Sequence, residues 1–278
     1  MKEKCLLYSY LIISCKKNEG LLKFFLNCLI NNMDNEIPIY VSIDGKISDY
    51  VLSKQISYII DESGIPFGKR IVNALNFVES KYIIVMCDDF IVEEKIDSDA
   101  INVVMSELVG NPQISSVALA KVSGKNRKET LCDDMYIRRA KFGIFKTTLQ
   151  CSIWQKMAFS KLIVNAKTPW EFEVFSNFKT YTCKNEFYAL INDTFQPIKY
   201  NRGRLIIRGK IVIPEKERLE KVLRIKINLD GFETTDSFKQ PSNIFISERI
   251  SRRCVMILYK MYYAVISMFI RNDINVNE

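Results

Sequence analysis

Apolar positions in the first half of the chain switch repeatedly between two spacings. "LLYSYLIIS" (6–14) and "IPIYVSID" (37–44) are short, β-branched and aromatic and predict buried strands, while "NEGLLKFFLNCLINNM" between them repeats Leu and Phe at helical spacing. Strand, helix, strand predicts a βαβ unit, with parallel strands and a right-handed crossover. The pattern continues with "SDYVLSKQISYII" and "GKRIVNALNFVES" as helices and "KYIIVMC" as a strand buried on both faces. "DSDAINVVMSELVG" predicts a helix with Asp97 or Ser98 near its cap and Gly110 after its end, and "QISSVALAKV" returns to strand.

Residues 123–141, "SGKNRKETLCDDMYIRRAK", are polar and basic and predict a mobile loop. "LQCSIWQKMAFSKLI" and "TPWEFEVFSNF" predict two helices, the second opened by Thr168 and Pro169, and "RLIIRGKIVI" predicts a strand. The fold class expected is α/β, a mostly parallel central sheet flanked by helices. The C-terminal run "CVMILYKMYYAVISMFI" (254–270) falls short of the roughly 20 apolar residues of a membrane span and contains Lys260. At ~100° per residue Arg249, Arg253, Lys260, Ser267 and Arg271 share one stripe, and within 254–270 everything opposite it is apolar. An amphipathic helical appendage over 249–271 can dock on its own domain, on a second copy in a homodimer, or at a membrane surface.

Composition narrows the chemistry. With 278 residues, 48% hydrophobic and 26% charged, the chain belongs in the globular range, as one large domain with a small C-terminal appendage. Lys2, Glu3 and Lys4 precede a short apolar run with no small-residue cleavage site after it, the expected first strand of a cytoplasmic protein. Eight scattered cysteines without a CxxC pair favour reduced, packed thiols. The absence of His removes Ser-His, Cys-His and His-ligated metal mechanisms, so any metal is expected on oxygen ligands, as suits Mg or Mn. A net charge of +8 suits nucleotides, nucleic acid or an anionic membrane without choosing among them.

The strand "KYIIVMC" runs into Asp88 and Asp89, and "VSID" ends in Asp44. Ligands of open parallel sheets bind beyond the carboxyl ends of the strands, where all three carboxylates fall. Unpartnered buried carboxylates are costly, so a strand that ends in two of them delivers them to a metal, an arginine or solvent.

In their order, "SCKKNEGLLKFFLNCL", "VSIDG" and "FGKRIVNALNFVESKYIIVMCDDF" resemble the nucleotide-sugar-binding half of a GT-A-fold (Rossmann-like) glycosyltransferase. The similarity is to the large inverting, family 2-like group that builds bacterial surface polysaccharides. "LQCSIWQKMAFSKLI", "PWEFE" and "IIRGKIVIPE" resemble the acceptor-side half of enzymes of the capsule and O-antigen kind. The resemblance covers roughly residues 6–215 and divides the chain into 1–122 for the donor, 123–240 for the acceptor and 241–278 as the tail. It implies a nucleotide-sugar donor, a glycan or lipid-linked glycan acceptor, and Mn or Mg bridging the diphosphate at a DxD-like motif. Here that motif is written Cys87-Asp88-Asp89, with Cys87 where many relatives have an acid. It further implies Asp89 as the metal ligand, with Asp88 on the ribose or a metal-bound water. Asp44 is implied to hold the base or ribose, Arg70 to reach the diphosphate, and Asn18 and Glu19 to line the nucleotide pocket.

Inverting transfer needs a base, and without His it must be a carboxylate. Glu171 and Glu173 of "PWEFE" are the candidates, about 200° apart on a helix, so that at most one of them faces the cleft. Glu171 is preferred, beside a Trp170 ring that could stack on a sugar. Gln150, Trp154, Arg208 and Lys210 are weaker candidates for acceptor or phosphate contacts. The acceptor would place the protein in the cytoplasm, peripheral on the inner face of the membrane. Two other readings remain open: a metal-dependent nuclease or phosphotransferase built on Asp88, Asp89 and a glutamate, and a non-catalytic membrane-associated protein that keeps the fold.

Overall fold

A computed structural model of the chain describes residues 7–33, 37–48, 51, 53–207, 209–229 and 231–236, and, near the C-terminus, 257, 258, 261, 262 and 265. Strand β1 (Tyr8–Ile13) is buried at every position, and helix α1 (Glu19–Asn31) folds back across the sheet with Leu21, Leu22, Phe25 and Leu26 inward. β2 (Ile39–Ile43) then pairs parallel with β1, completing the expected βαβ unit. β3 (Ile56–Ile60) extends the parallel set beyond β2. Residues 48–60 were expected to be helical, but "ISYII" is β-branched and aromatic, and β2 offers it an open edge.

Helix α2 (Phe67–Phe77) leads into β4 (Tyr82–Cys87), which pairs parallel with β1 on the side away from β2. Helix α3 (Ser98–Gly110) begins at Asp97, whose Oδ1 accepts from the Ala100 N–H at 2.9 Å, and it precedes β5 (Ile114–Lys121). The basic stretch after it forms a hairpin, β6 (Asn126–Leu131) and β7 (Tyr136–Arg139), rather than the expected loop. Cys132, Asp133 and Asp134 turn it with positive φ.

"LQCSIWQKMAFSKLI" also divides. β8 (Ser152–Gln155) is buried at all four positions between β4 and β5, antiparallel to both, and helix α4 (Lys156–Ile163) begins only after it. A short helix α5 (Pro169–Glu171) opens with Thr168 as its cap, passes through a π-helical turn (Phe172–Ser176) and closes as α6 (Asn177–Lys179). β9 (Glu186–Leu190) pairs parallel with β5 and antiparallel with β7. The stretch expected as one strand breaks at Gly209 (φ +77°) into a hairpin of β10 (Ile206–Ile207) and β11 (Lys210–Val212). Helix α7 (Ile213–Leu223) and β12 (Glu233–Thr235) follow, and β12 completes a small three-stranded sheet.

The main sheet has nine strands in the order β3-β2-β1-β4-β8-β5-β9-β7-β6. One apolar cluster packs α1 and α3 on one face, and a second packs α2 and α4 on the other. The α/β class and the flanking helices are those the sequence pattern predicts. Within this sheet, parallel pairing is confined to β3-β2-β1-β4 and to β5-β9; in the small sheet β11 and β12 are parallel.

In the tail, the described residues Ile257, Leu258, Met261, Tyr262 and Val265 are helical and exposed, whereas Arg249, Arg253, Lys260, Ser267 and Arg271 lie outside the described residues. Among the described residues, no helix is long and apolar enough to cross a membrane.

Gly68 lets α2 and α4 meet. Its N–H donates to Ala166 O at 2.7 Å, and a Cβ there would collide with the Ile163 carbonyl. Gly68→Ala is therefore expected to lose roughly 1–3 kcal/mol in urea unfolding despite the better helix former. Gly20→Ala in α1, with nothing within 4 Å of the new Cβ, is the matched control and should be neutral or stabilising. Equal effects of the two would contradict the close approach.

Candidate active site

Because β1, β2 and β4 are parallel neighbours, the residues after them, Ser14, Asp44 and Asp88, emerge at one edge of the sheet. A buried arginine ties these ends together. Arg70, in the first turns of α2 and 5% exposed, donates from Nη1 to Ser14 O at 2.7 Å and to Ser42 O at 2.9 Å. Burial lowers its pKa, and Asp44, Cys15, Asp61 and Asp88 work against that shift. Among the described residues its hydrogen bonds all run through Nη1, so that Nε and Nη2 offer donors to a ligand.

Asp88 is 5% exposed and accepts from Ser14 Oγ at 2.5 Å and from Asn18 Nδ2 at 3.2 Å. Burial pushes its carboxyl up to about 7, against the Ser14 hydrogen bond, which lowers it. Burial also raises Asp89, to about 6. The hydrogen bond that its carboxylate takes from its own backbone N–H works against that rise, and among the described residues Asp89 takes none from another side chain. The chain at Gly203 (φ +69°) passes so close that a Cβ would lie 2.8 Å from Asp89 Oδ2.

These groups surround one pocket of about 480 Å³. Its walls bring together five residues singled out in the sequence: Asn18, Asp44, Arg70, Asp88 and Asp89. Asp44 Oδ1 also accepts from the Lys16 N–H at 2.6 Å, which fixes the loop between β1 and α1.

Among the described residues, no three Cys, Asp or Glu side chains converge on a metal position. The donors still fit a hard divalent cation of the Mg type, which needs only one or two carboxylates when substrate phosphates and water complete its shell. Asp89, which takes no hydrogen bond from another side chain among the described residues, suits that role better than Asp88, which is engaged by Ser14 and Asn18.

The other candidates lie elsewhere. Glu19 Oε1 is taken by the Ser48 N–H and Oγ, both at 2.6 Å, so it anchors the 45–48 loop and is not among the pocket's walls. Glu171, the preferred base, is drawn into the cap of α5: its N–H donates to Thr168 Oγ1 at 3.1 Å and its Oε2 accepts from the Lys167 N–H at 2.8 Å. Glu173 instead reaches the 148–149 backbone, accepting from the Leu149 N–H at 2.9 Å and Thr148 Oγ1 at 3.2 Å. Burial raises its pKa, and it is near enough to Cys87 to push that thiol up. The π turn allows this by setting Phe172 into the core, with its carbonyl accepting from Thr147 Oγ1 at 3.0 Å.

Trp170 is exposed, edge-on to Phe175, and follows Pro169 of the pocket wall without itself lining the pocket. Trp154 is fully buried among Phe159, Phe172 and Phe187, so it is a core residue and cannot touch an acceptor. Gln150 Oε1 accepts from the Tyr200 hydroxyl at 2.8 Å, outside the pocket. Lys210 pairs with Glu233 at 2.6 Å on the small sheet, and Arg208 lies outside the described residues.

Sequence reasoning missed Ser14, Lys17, Phe67, Lys167 and Ile206, which also line the pocket. Ser14 and Lys17 flank a strand end already recognised, which is signal enough to have found them. Lys167 and Ile206 arrive only through tertiary packing.

No protein-family profile matches this chain, and no curated protein matches it. Among solved structures, S. aureus TarS 1–349 aligns with a TM-score of 0.42 and 14% identity over 66% of this chain and 60% of TarS. Its complex with UDP-GlcNAc aligns at 0.45 and 13% over 79% of this chain and 65% of that one. Francisella tularensis 2-C-methyl-D-erythritol 4-phosphate cytidylyltransferase aligns at 0.32 and 13% over 59% and 76%. The matched part of this chain thus spans less than two thirds of TarS, and likenesses this distant assign no residue a role.

The cap assignment is testable. Thr168→Ala and Glu171→Ala should each lower stability by about 0.5–2 kcal/mol in chemical denaturation, as loss of a helix cap does. A Glu171→Ala protein as stable as wild type would remove Glu171 from the cap and return it to the list of candidate bases.

Proposed function

We propose that this chain is a metal-assisted glycosyltransferase that moves a sugar from a nucleotide-sugar donor to a glycan acceptor. The observation that carries this reading is the gathering of Asn18, Asp44, Arg70, Asp88 and Asp89 around one pocket at the carboxyl ends of three parallel strands. In this reading Asp44 and Asn18 hold the nucleoside, and Asp88, fixed by Ser14, completes its ribose contacts. Arg70 offers its remaining N–H donors to the diphosphate, a geometry suited to bidentate contact. Lys17 and Lys167 add positive charge at the same pocket. Mn or Mg on Asp89 would neutralise charge on the departing diphosphate.

Glu173 replaces Glu171 as the proposed base, because Glu171 is held in the cap of α5 while burial raises the pKa of the Glu173 carboxyl, as suits a group that must take up a proton. It takes the acceptor hydroxyl proton as that oxygen bonds to the anomeric carbon and the bond to the diphosphate breaks. Attack opposite the leaving group inverts the anomeric centre. Trp170 offers an exposed ring on which an acceptor sugar can stack. The same reading takes the acceptor as a lipid-linked glycan of surface-polysaccharide synthesis in the cytoplasm. The exposed Ile257, Leu258, Met261 and Val265 would then rest on the inner membrane face.

The first test is a thermal-shift titration with UDP, GDP, TDP and CMP, each with and without Mn. One nucleotide should raise Tm in a Mn-dependent way, by the equivalent of about 2.7 kcal/mol at a hundredfold excess over Kd, and Asp89→Asn should abolish the Mn-dependent part. No shift with any nucleotide would overturn the reading. Once the donor is known, Glu173→Gln should slow its turnover about 10²–10⁴-fold with donor binding retained, while Glu171→Gln stays within a few-fold. The reverse ranking would restore Glu171 as the base.

A further inference from the structure

A second cavity lies far from the strand ends that carry Asp88. It has a volume of about 260 Å³ and is lined from β6, β7, the 141–146 segment and the residues leading into β9. β9 is parallel to β5, and both are related to β4 through the antiparallel β8, so β9 runs in the same direction as β4. The cavity sits at the amino end of β9 and shares no lining residue with the candidate active site.

Its walls are strongly basic. Arg127, Arg138, Arg139, Lys141, Lys146 and Lys184 line it, and Glu186 is its one acid. Glu186 is already paired with Arg138 at 2.8 Å. Arg139 is 3% exposed and donates to Asn126 Oδ1 at 2.6 Å and to the carbonyls of Val122, Ser123 and Ile144, yet its Nε has no partner. Lys146 is 4% exposed, donates to the Lys141 carbonyl and lies over the rings of Tyr181 and Phe187, at 4.7 and 5.8 Å. Among the described residues neither cation makes an ion pair. Buried charges in proteins are paired, and among the described residues these two share a cavity whose one acid is taken by Arg138.

We propose that this cavity is an anion-binding site for a phosphate group, carried either by a small phosphorylated molecule or by the end of a longer anionic chain. Arg138 and Arg127 are also paired with Glu129, at 3.4 and 3.7 Å, which leaves Arg139 and Lys146 as the buried cations to be matched. A phosphate carries up to two charges, one for each of them, and accepts the forked donors of arginine, whereas a monovalent carboxylate would match one. The volume accommodates a phosphate together with a few waters or a small attached group, since a water occupies roughly 30 Å³. The site is independent of the donor pocket and of the activity proposed for it.

The state of Lys146 gives the site a pH signature. Burial lowers its pKa to about 7; Lys141, Arg139 and Arg127 lower it further, and Cys183 alone opposes them. In the free protein the folded state has lost this proton above about 7 while the unfolded chain keeps it up to the ordinary lysine value of 10.5, so native stability rises with pH across that window. A bound anion favours the charged amine, so affinity should fall as pH rises through about 7.

The test is calorimetric titration of the full chain with inorganic phosphate at constant ionic strength, with sulfate as a probe whose charge does not change near neutrality. Wild type and Asp89→Asn should bind phosphate saturably and alike, while Lys146→Met should bind about tenfold more weakly or not at all. Lys146→Met should also be at least as stable as wild type without ligand, because it removes an unpaired buried charge. Lys141→Ala, nearer the surface, tests the same cavity should Lys146→Met fold poorly, and it too should weaken binding. Polyphosphate binding more tightly than glucose 1-phosphate would identify the longer chain as the source, and equal binding the small molecule. Absence of saturable phosphate binding, or equal binding by wild type and both lysine variants, would overturn the proposal.

Discussion

The bonds from Arg70 to the carbonyls of Ser14 and Ser42 fix the geometry on which the candidate site depends. A guanidinium buried to this degree is tolerated only where its donors are met, and the two carbonyls it meets end adjacent parallel strands. From Ser14 the link continues through its hydroxyl to Asp88 on the third strand. One cation thus holds three strand ends in register and puts the remainder of its fork beside two carboxylates whose pKa values burial has raised. Removing any member would leave a buried charge or carbonyl without its partner, so the architecture of the sheet and the chemistry of the pocket rest on the same bonds.

The two basic and acidic concentrations in the molecule are arranged differently. At the carboxyl ends of β1, β2 and β4, opposite charges interleave: Asp44, Asp88 and Asp89 with Arg70, Lys17 and Lys167. Such a wall can take a ligand that is itself mixed, an anionic diphosphate attached to a neutral sugar and a polar nucleoside. At the amino end of β9 two buried cations, Arg139 and Lys146, have no ion-pair partner among the described residues, which suits a compact anion. The overall charge of +8 is therefore not a featureless property of the surface, since part of it is collected in one cavity.

What was legible in the sequence was whatever local pattern decides. Strands β1, β2, β4 and β5 and helices α1, α2 and α3 follow directly from apolar spacing, and the strand-end carboxylates from their position after those strands. "SIWQ" became a strand against a helical reading because β4 and β5 leave a slot that only an extended segment can fill, a constraint absent from its own residues. The same holds for the 123–141 stretch, whose polar residues pair as a hairpin at the edge of the sheet. In the site, Asn18, Asp44, Arg70, Asp88 and Asp89 converge as the motif order suggests. Trp154 does not, because an aromatic ring inside a buried strand belongs to the core whichever motif it accompanies. The choice between Glu171 and Glu173 turned on a π turn and a helix cap, features that spacing at 100° per residue cannot anticipate.

The central claim is that the pocket at the strand ends binds a nucleoside diphosphate with a divalent cation. The most direct measurement is diffraction from crystals grown with Mn and the nucleoside diphosphate, recorded with the anomalous signal of Mn. The account predicts a single Mn peak in contact with the Asp89 carboxylate and the diphosphate, with the free donors of Arg70 on the phosphates and the ribose beside Asp88. A nucleotide bound elsewhere, or a Mn peak away from Asp89, would contradict it.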